Sequence, residues 1–169
     1  PALTERIIAW ARQADRATPL VVRLVKGAYW DHEVVDAAQH GWRPPVFEEK
    51  ADSDRNFELL TRRLLGARPQ IRPAIATHNL RSVAHAIVAN EGTGYGPRDL
   101  EFQVLYGLGD DLMHALAEGG QSVRAYCPVG DLVAGMAYLV RRLLENTANE
   151  GFLHQLADGR SPEELLAAP

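Results

Sequence analysis

The sequence has a single cysteine, Cys127, which excludes an internal disulfide framework and any zinc site built on several cysteines. No apolar run approaches the ~20 residues that span a bilayer. The amphipathic opening PALTERIIAWARQ lacks the apolar core of a secretory signal. Charge of one sign is not in excess either: 18 Lys and Arg face 22 Asp and Glu, for a net charge of −4 and a pI near 5.9. Without a basic field to hold a polyanion, nucleic acid is not an expected partner of this segment. His32, His40, His85, His114 and His154 show no HExxH spacing and have no second cysteine to join, so no metal is expected. Ser, Cys and Thr lack an elbow motif, which leaves hydrolase chemistry unsupported; Cys127 sits in an apolar run and reads as inert. What is present, 46% hydrophobic and 24% charged residues over 169 positions, is the composition of an ordinary globular protein. A cytosolic compartment is the default.

From residue 19 onward, short β-rich runs alternate with helical patterns. The runs are PLVVRLVKG (19–27), RPAIAT (72–77), LEFQVLYG (100–107) and SVRAYCPVG (122–130). Helices are expected from Asp31 through AAQH, over Ser53–Leu65 and from Asn79 to about Ala89. Two more are expected around 110–118 and from an Asp131 cap to about Asn146. This alternation predicts βα units and a parallel sheet. EGTGYGP (91–97) precedes a strand where a dinucleotide fingerprint must follow one, so it reads as a connector. The chain opens inside a helical pattern and closes on a new helix start, with Ser161 as cap and Glu164 three residues later. We therefore expect a piece of a longer protein, with 158–169 beginning a linker toward a downstream region.

Buried parallel strands usually read as unbroken Val, Ile and Leu. Here Arg23 interrupts the first run, Gln103 the third and Arg124 the fourth. Period-two spacing puts Val21, Arg23 and Val25 on one side, Gln103 with Leu105, and Arg124 with Tyr126. Either these groups meet water at strand ends, or a polar ligand lies against them. In MAYLVRRLLEN (136–146), Tyr138, Arg141, Arg142 and Glu145 share one helix face, opposite Met136, Val140, Leu143 and Leu144. That polar face is either solvated, with an Arg–Glu pair, or a pair of guanidinium forks for a carboxylate. RLVKGAYWD (23–31) ends a strand with Lys26 and Gly27, followed by Tyr29 and Trp30. It suits a phosphate and a stacked ring, or is simply a solvated strand end above core aromatics. THN (77–79) places a hydroxyl, an imidazole and a helix cap where sheet-bound ligands sit.

Taken together and in order, RLVKGAYWD, ATHN, EFQVLYGLGDDL, YCPVGD and YLVRRLLENTANEGFL closely resemble the proline dehydrogenase domain, particularly that of the bacterial bifunctional proline-utilisation flavoenzymes. The likeness runs from about Val21 to Leu156. It implies an α/β fold, the C-terminal half of a (β/α)8 TIM-like barrel of about four βα units, occupying residues 1–157. It also implies FAD-dependent oxidation of L-proline to Δ1-pyrroline-5-carboxylate, by hydride transfer from the ring carbon to flavin N5. Reoxidation falls to a quinone at the membrane, from a cytoplasmic protein that can sit at the periphery of the inner membrane. The tail LADGRSPEELLAAP resembles the connection toward an aldehyde dehydrogenase half.

By motif position, Arg23 matches the catalytic arginine beside flavin N5. Val25, Lys26, Gly27 and Ala28 match the segment that holds the cofactor and its phosphates. Trp30 matches an aromatic near the adenosine, and Thr77 and His78 match further FAD contacts. Lys50 with Ser53 resembles a K-x-x-T/S-D stretch near the cofactor, although Glu48 and Glu49 depart from the more basic version of that stretch. Arg141 and Arg142 match the pair that binds the proline carboxylate, and Glu145 matches the acid that orients them. Tyr29, Leu105, Tyr126 and Tyr138 match the walls around the pyrrolidine ring. The family's other catalytic groups come from earlier strands, so activity is expected only in the full-length parent. Two alternatives remain open at this point: a Schiff-base aldolase on a similar barrel, with Lys26 as nucleophile, and a non-catalytic flavin-binding relative.

Overall fold

The computed structural model describes residues 2–27, 30–133, 135–136, 138–140, 159 and 161–169. Helix α1 (Ala2–Gln13) leads into strand β1 (Leu20–Leu24), α2 (Trp30–His40) and α3 (Lys50–Leu65). Then come β2 (Ile71–Ala76), α4 (Leu80–Glu91), β3 (Glu101–Leu105), α5 (Asp110–Glu118) and β4 (Ser122–Tyr126). Residues 132–133, 135–136 and 138–140 are helical, and a short helix spans Pro162–Leu166. The four strands form one parallel sheet in the order β1-β2-β3-β4.

All the helices that build the core lie on one face of this sheet. Leu24, Ile75, Phe102, Val104 and Val123 project from four successive strands onto Phe57 and Leu65 of α3, Val83 and Ala86 of α4, and Leu116 of α5. A second cluster packs Ile8 and Ala11 of α1 against Leu64, Ala67 and Ile71, with Leu20 and Val22 beside them. A doubly wound sheet is covered on both faces and changes strand order at a switch point. Sequential parallel strands with helices on one face are instead the geometry of consecutive βα units in a (β/α)8 barrel. The expected fold class is thus the observed one.

The capping expectations hold at the level of atoms. The Asn79 side chain accepts from the Ser82 backbone N–H at 2.9 Å, which starts α4 where THN suggests. Ser161 and Glu164 form the reciprocal capping box, 3.2 Å in both directions. Helix α3 begins a turn earlier than Ser53, because Lys50 joins Asp54 at i,i+4 and Asp52 stands in the first turn.

One reading needs correction. Cys127 lies past the end of β4, which stops at Tyr126, and is exposed, with its thiol against the Pro128 carbonyl. Met136 and Val140, on the apolar stripe opposite Tyr138, are 54% and 50% exposed.

Candidate functional site

The helix-free face of the sheet carries the polar residues that the strand pattern singled out. Arg23, Gln103, Glu101 and Arg124 all point to it, by the same period that sends Leu24, Phe102 and Val123 into the core. Arg23 Nε donates to Gln103 Oε1 at 2.8 Å, and Gln103 Nε2 donates to Glu101 Oε1 at 2.8 Å. Arg124 closes on Glu101 with two bonds, from Nε at 2.9 Å and Nη2 at 3.0 Å, and Arg72 stands 4.0 Å from the same carboxylate. Hydrogen bonds from Arg124 hold the Glu101 carboxyl below its ordinary value against the opposing effect of burial. Two guanidiniums, Arg124 and Arg72, therefore meet one carboxylate, and Arg23 joins it through Gln103, so three arginines and one carboxylate leave this group positively charged.

Aromatic rings extend this face beyond the strand ends. The Arg23 guanidinium carbon lies 5.8 Å from the centroid of the Tyr126 ring, and Tyr126 lies 5.9 Å from Tyr138 at a tilt of 51°. Leu105 pairs with Tyr126 in the β3–β4 register, and its backbone N–H donates to His78 Nε2 at 2.9 Å. An imidazole nitrogen that accepts carries no proton, so His78 is the neutral Nδ1–H tautomer; burial lowers its pKa in the same direction. Thr77 Oγ1 accepts from the Asn79 N–H at 3.1 Å, which shapes the turn into α4.

A Cβ added at Gly109 would sit 3.0 Å from His78 Nε2. Gly109→Ala is therefore expected to push the imidazole off Leu105 and to cost about 1 kcal/mol, the lower end for overpacking a tight contact. Urea denaturation together with amide exchange at Leu105 checks this.

A second polar group forms where β1 ends. Lys26 and Lys50 both donate to Asp54, the latter to Oδ2 at 2.6 Å, and the Lys26 ammonium lies 5.4 Å from the Phe57 ring centroid. Burial pushes Lys26 below the usual lysine range, and the Asp54 bond only partly offsets it. Burial also pushes Asp54 up, but the two lysine bonds outweigh it and the carboxyl sits below its ordinary value. Asp54→Asn would leave a largely buried ammonium short of its charged partner, an expected loss of about 1–3 kcal/mol. Because the folded carboxyl is the stronger acid, its contribution is complete above about pH 4 and disappears as pH falls below that. The acid limb of the variant's stability profile should accordingly be shallower than that of the wild type in urea melts.

The structure brings Arg23, Leu105, His78, Tyr126 and Tyr138 together, and joins Lys26 to Lys50. Gly27 adopts φ +111, a conformation that side chains rarely take, and nothing lies within 4 Å of where its Cβ would be. Val25 is 43% exposed just past β1. Trp30 turns its Nε1 to the Phe47 carbonyl at 2.8 Å, and no described contact links it to the other groups. Ala28, Tyr29, Arg141, Arg142 and Glu145 lie outside the described residues. Sequence reasoning missed Glu101, and touched Asp54 only as the last position of the K-x-x-T/S-D stretch. Asp54 had a signal in its i,i+4 spacing from Lys50, and Glu101 in sharing the face of Gln103 and Leu105.

Comparison with known proteins shows the family. The family profile described as proline dehydrogenase matches residues 1–155. The bifunctional protein PutA of Klebsiella aerogenes is 39% identical over 177 aligned residues, covering 100% of this chain and 13% of that protein. A crystal structure of proline utilization A from Bdellovibrio bacteriovorus, inactivated by N-propargylglycine, superposes with a TM-score of 0.91 at 46% identity, over 98% of this chain and 17% of that one. Proline utilization A from Bradyrhizobium japonicum, in a D779W mutant, gives 0.85 at 44% identity, over 99% and 17%. This chain thus spans less than a fifth of the length of these relatives. On the profile match and these identities, the chain belongs to the proline dehydrogenase family.

Proposed function

We propose that this chain forms the part of a proline dehydrogenase that binds FAD and reads the substrate, L-proline, for oxidation to Δ1-pyrroline-5-carboxylate. The carrying observation is the positively charged helix-free face, where Arg23, Gln103 and Tyr126 adjoin one another at the strand ends. The family implies a flavin, and the residues present fit one. Three arginines exceed the single carboxylate between them, and Gly27 offers open backbone beside the Lys26 cation. When bound, the flavin supplies the acceptor for hydride from the ring carbon next to nitrogen.

The rest of the chemistry belongs to the chain. Lys26, Gly27 and Ala28 would hold the phosphates, with Asp54 bonded to the Lys26 amine and keeping it in place; Val25, Trp30, Lys50, Thr77 and His78 would complete the cofactor contacts. Arg23 presents a fixed cation where negative charge develops. Arg141 and Arg142 bind the substrate carboxylate, Glu145 orients them, and Tyr29, Leu105, Tyr126 and Tyr138 enclose the ring and exclude water. A membrane quinone as electron acceptor, a cytoplasmic location and an aldehyde dehydrogenase domain in the same polypeptide belong to this reading. The aldolase alternative is not favoured, because the proline dehydrogenase profile matches residues 1–155 and relatives at 39% identity are proline-utilisation proteins.

The test is anaerobic addition of L-proline to the flavin-loaded full-length protein. Loss of the oxidised flavin band is expected, and an unchanged spectrum at saturating proline would overturn the reading. The 169-residue chain alone should neither retain flavin stoichiometrically nor turn over proline.

A further inference from the structure

We propose that Glu101 is a positioning residue for the reaction: it fixes the Gln103 amide and, through it, the orientation of Arg23. The inference rests on the reading above that Arg23 faces the flavin.

A carboxylate can only accept, so Gln103 must turn its NH2 group toward Glu101, which commits its carbonyl oxygen to Arg23 Nε. A flipped amide would set carbonyl against carboxylate on one side and NH2 against guanidinium on the other. Glu101 is itself immobilised: it is 4% exposed and gripped twice by Arg124. The result is a directed chain of hydrogen bonds from β4 through β3 to β1.

This chain passes over β2, and the register shows how. Ala74 pairs with both Arg23 and Glu101, and Ala76 pairs with Gln103. Two interstrand spacings, about 9.6 Å, separate β1 from β3. Only small side chains on the intervening strand let Arg23 and Gln103 meet above it. With Nε committed, the two Nη groups of Arg23 stay available to an acceptor on the helix-free face. Glu101 opens the stretch EFQVLYGLGDDL, but its pairing with Arg124 on β4 follows only from the strand order.

The experiment compares Glu101→Gln, Gln103→Met and their double variant with the wild type, as flavin-loaded full-length protein. The readouts are the two-electron midpoint potential of the bound flavin, the rate of its anaerobic reduction by proline, and the KM for proline. Glu101→Gln frees the Gln103 amide to flip. It should weaken stabilisation of the reduced flavin about tenfold, a potential lower by about 30 mV for a two-electron couple. The reduction rate should fall by a similar factor, with KM within about twofold. Gln103→Met should give the same shift, and the double variant no more than either alone, because both act through one chain.

Wild-type potential in Glu101→Gln, where Arg23→Met lowers it, overturns the proposal and leaves the reading of Arg23 standing. Wild-type potential in Arg23→Met removes Arg23 from the flavin and overturns both. Should Glu101→Gln fail to fold, Gln103→Met decides alone, since it leaves the Glu101–Arg124 pair whole; an unchanged potential there also overturns the proposal.

Discussion

Arg142→Met is expected to raise the KM for L-proline by one to two orders of magnitude while the purified full-length protein keeps its flavin. A charge-assisted hydrogen bond to a carboxylate is worth about 1.5–3 kcal/mol, or roughly 10- to 150-fold in affinity. Arg142 lies outside the described residues, and its role is the one the resemblance gives to its position in YLVRRLLEN. Methionine keeps the length and apolar stem of the side chain and removes the fork, so lost packing adds little. The measurement is a steady-state titration with proline, beside a flavin-to-protein absorbance ratio. A non-catalytic flavin-binding relative would show no proline effect at all.

Arg23→Met is expected to leave proline binding nearly intact and to slow flavin reduction about 10²- to 10³-fold. That is the usual cost of removing one preorganised donor from a site of developing charge. The contrast with Arg142→Met is the informative part: one cation acts on the ground-state carboxylate, the other on charge that appears during the reaction, so KM and the reduction rate should respond separately. Stopped-flow reduction under anaerobic conditions resolves the two. An Arg23→Met protein that reduces at the wild-type rate would remove Arg23 from the chemistry.

Much of this site was legible in the sequence because strands alternate faces. Arg23, Gln103 and Arg124 broke apolar runs, and period-two spacing put each on one side of its own strand, with Val25, Leu105 and Tyr126; the structure puts all three on one face and links Arg23 to Gln103 directly. Local caps were equally readable, since Asn79 and Ser161 act within three or four residues of themselves. What could not be read was partnership over distance. Lys26 and Asp54 are 28 residues apart, and Glu101 and Arg124 are 23 apart, so no spacing rule joins them. The order of the strands does. The apolar stripe at Met136 and Val140 is half exposed for a related reason: apolar spacing marks a face that can be covered, not what covers it.

The central claim is tested most directly by a crystal structure of the flavin-loaded full-length protein with a non-oxidisable cyclic carboxylate in place of proline. The account predicts the isoalloxazine on the sheet face that bears Arg23, Gln103 and Tyr126, with the carboxylate held by Arg141 and Arg142. A flavin bound elsewhere, or those three arginines turned to bulk solvent with no shared hollow, would contradict it.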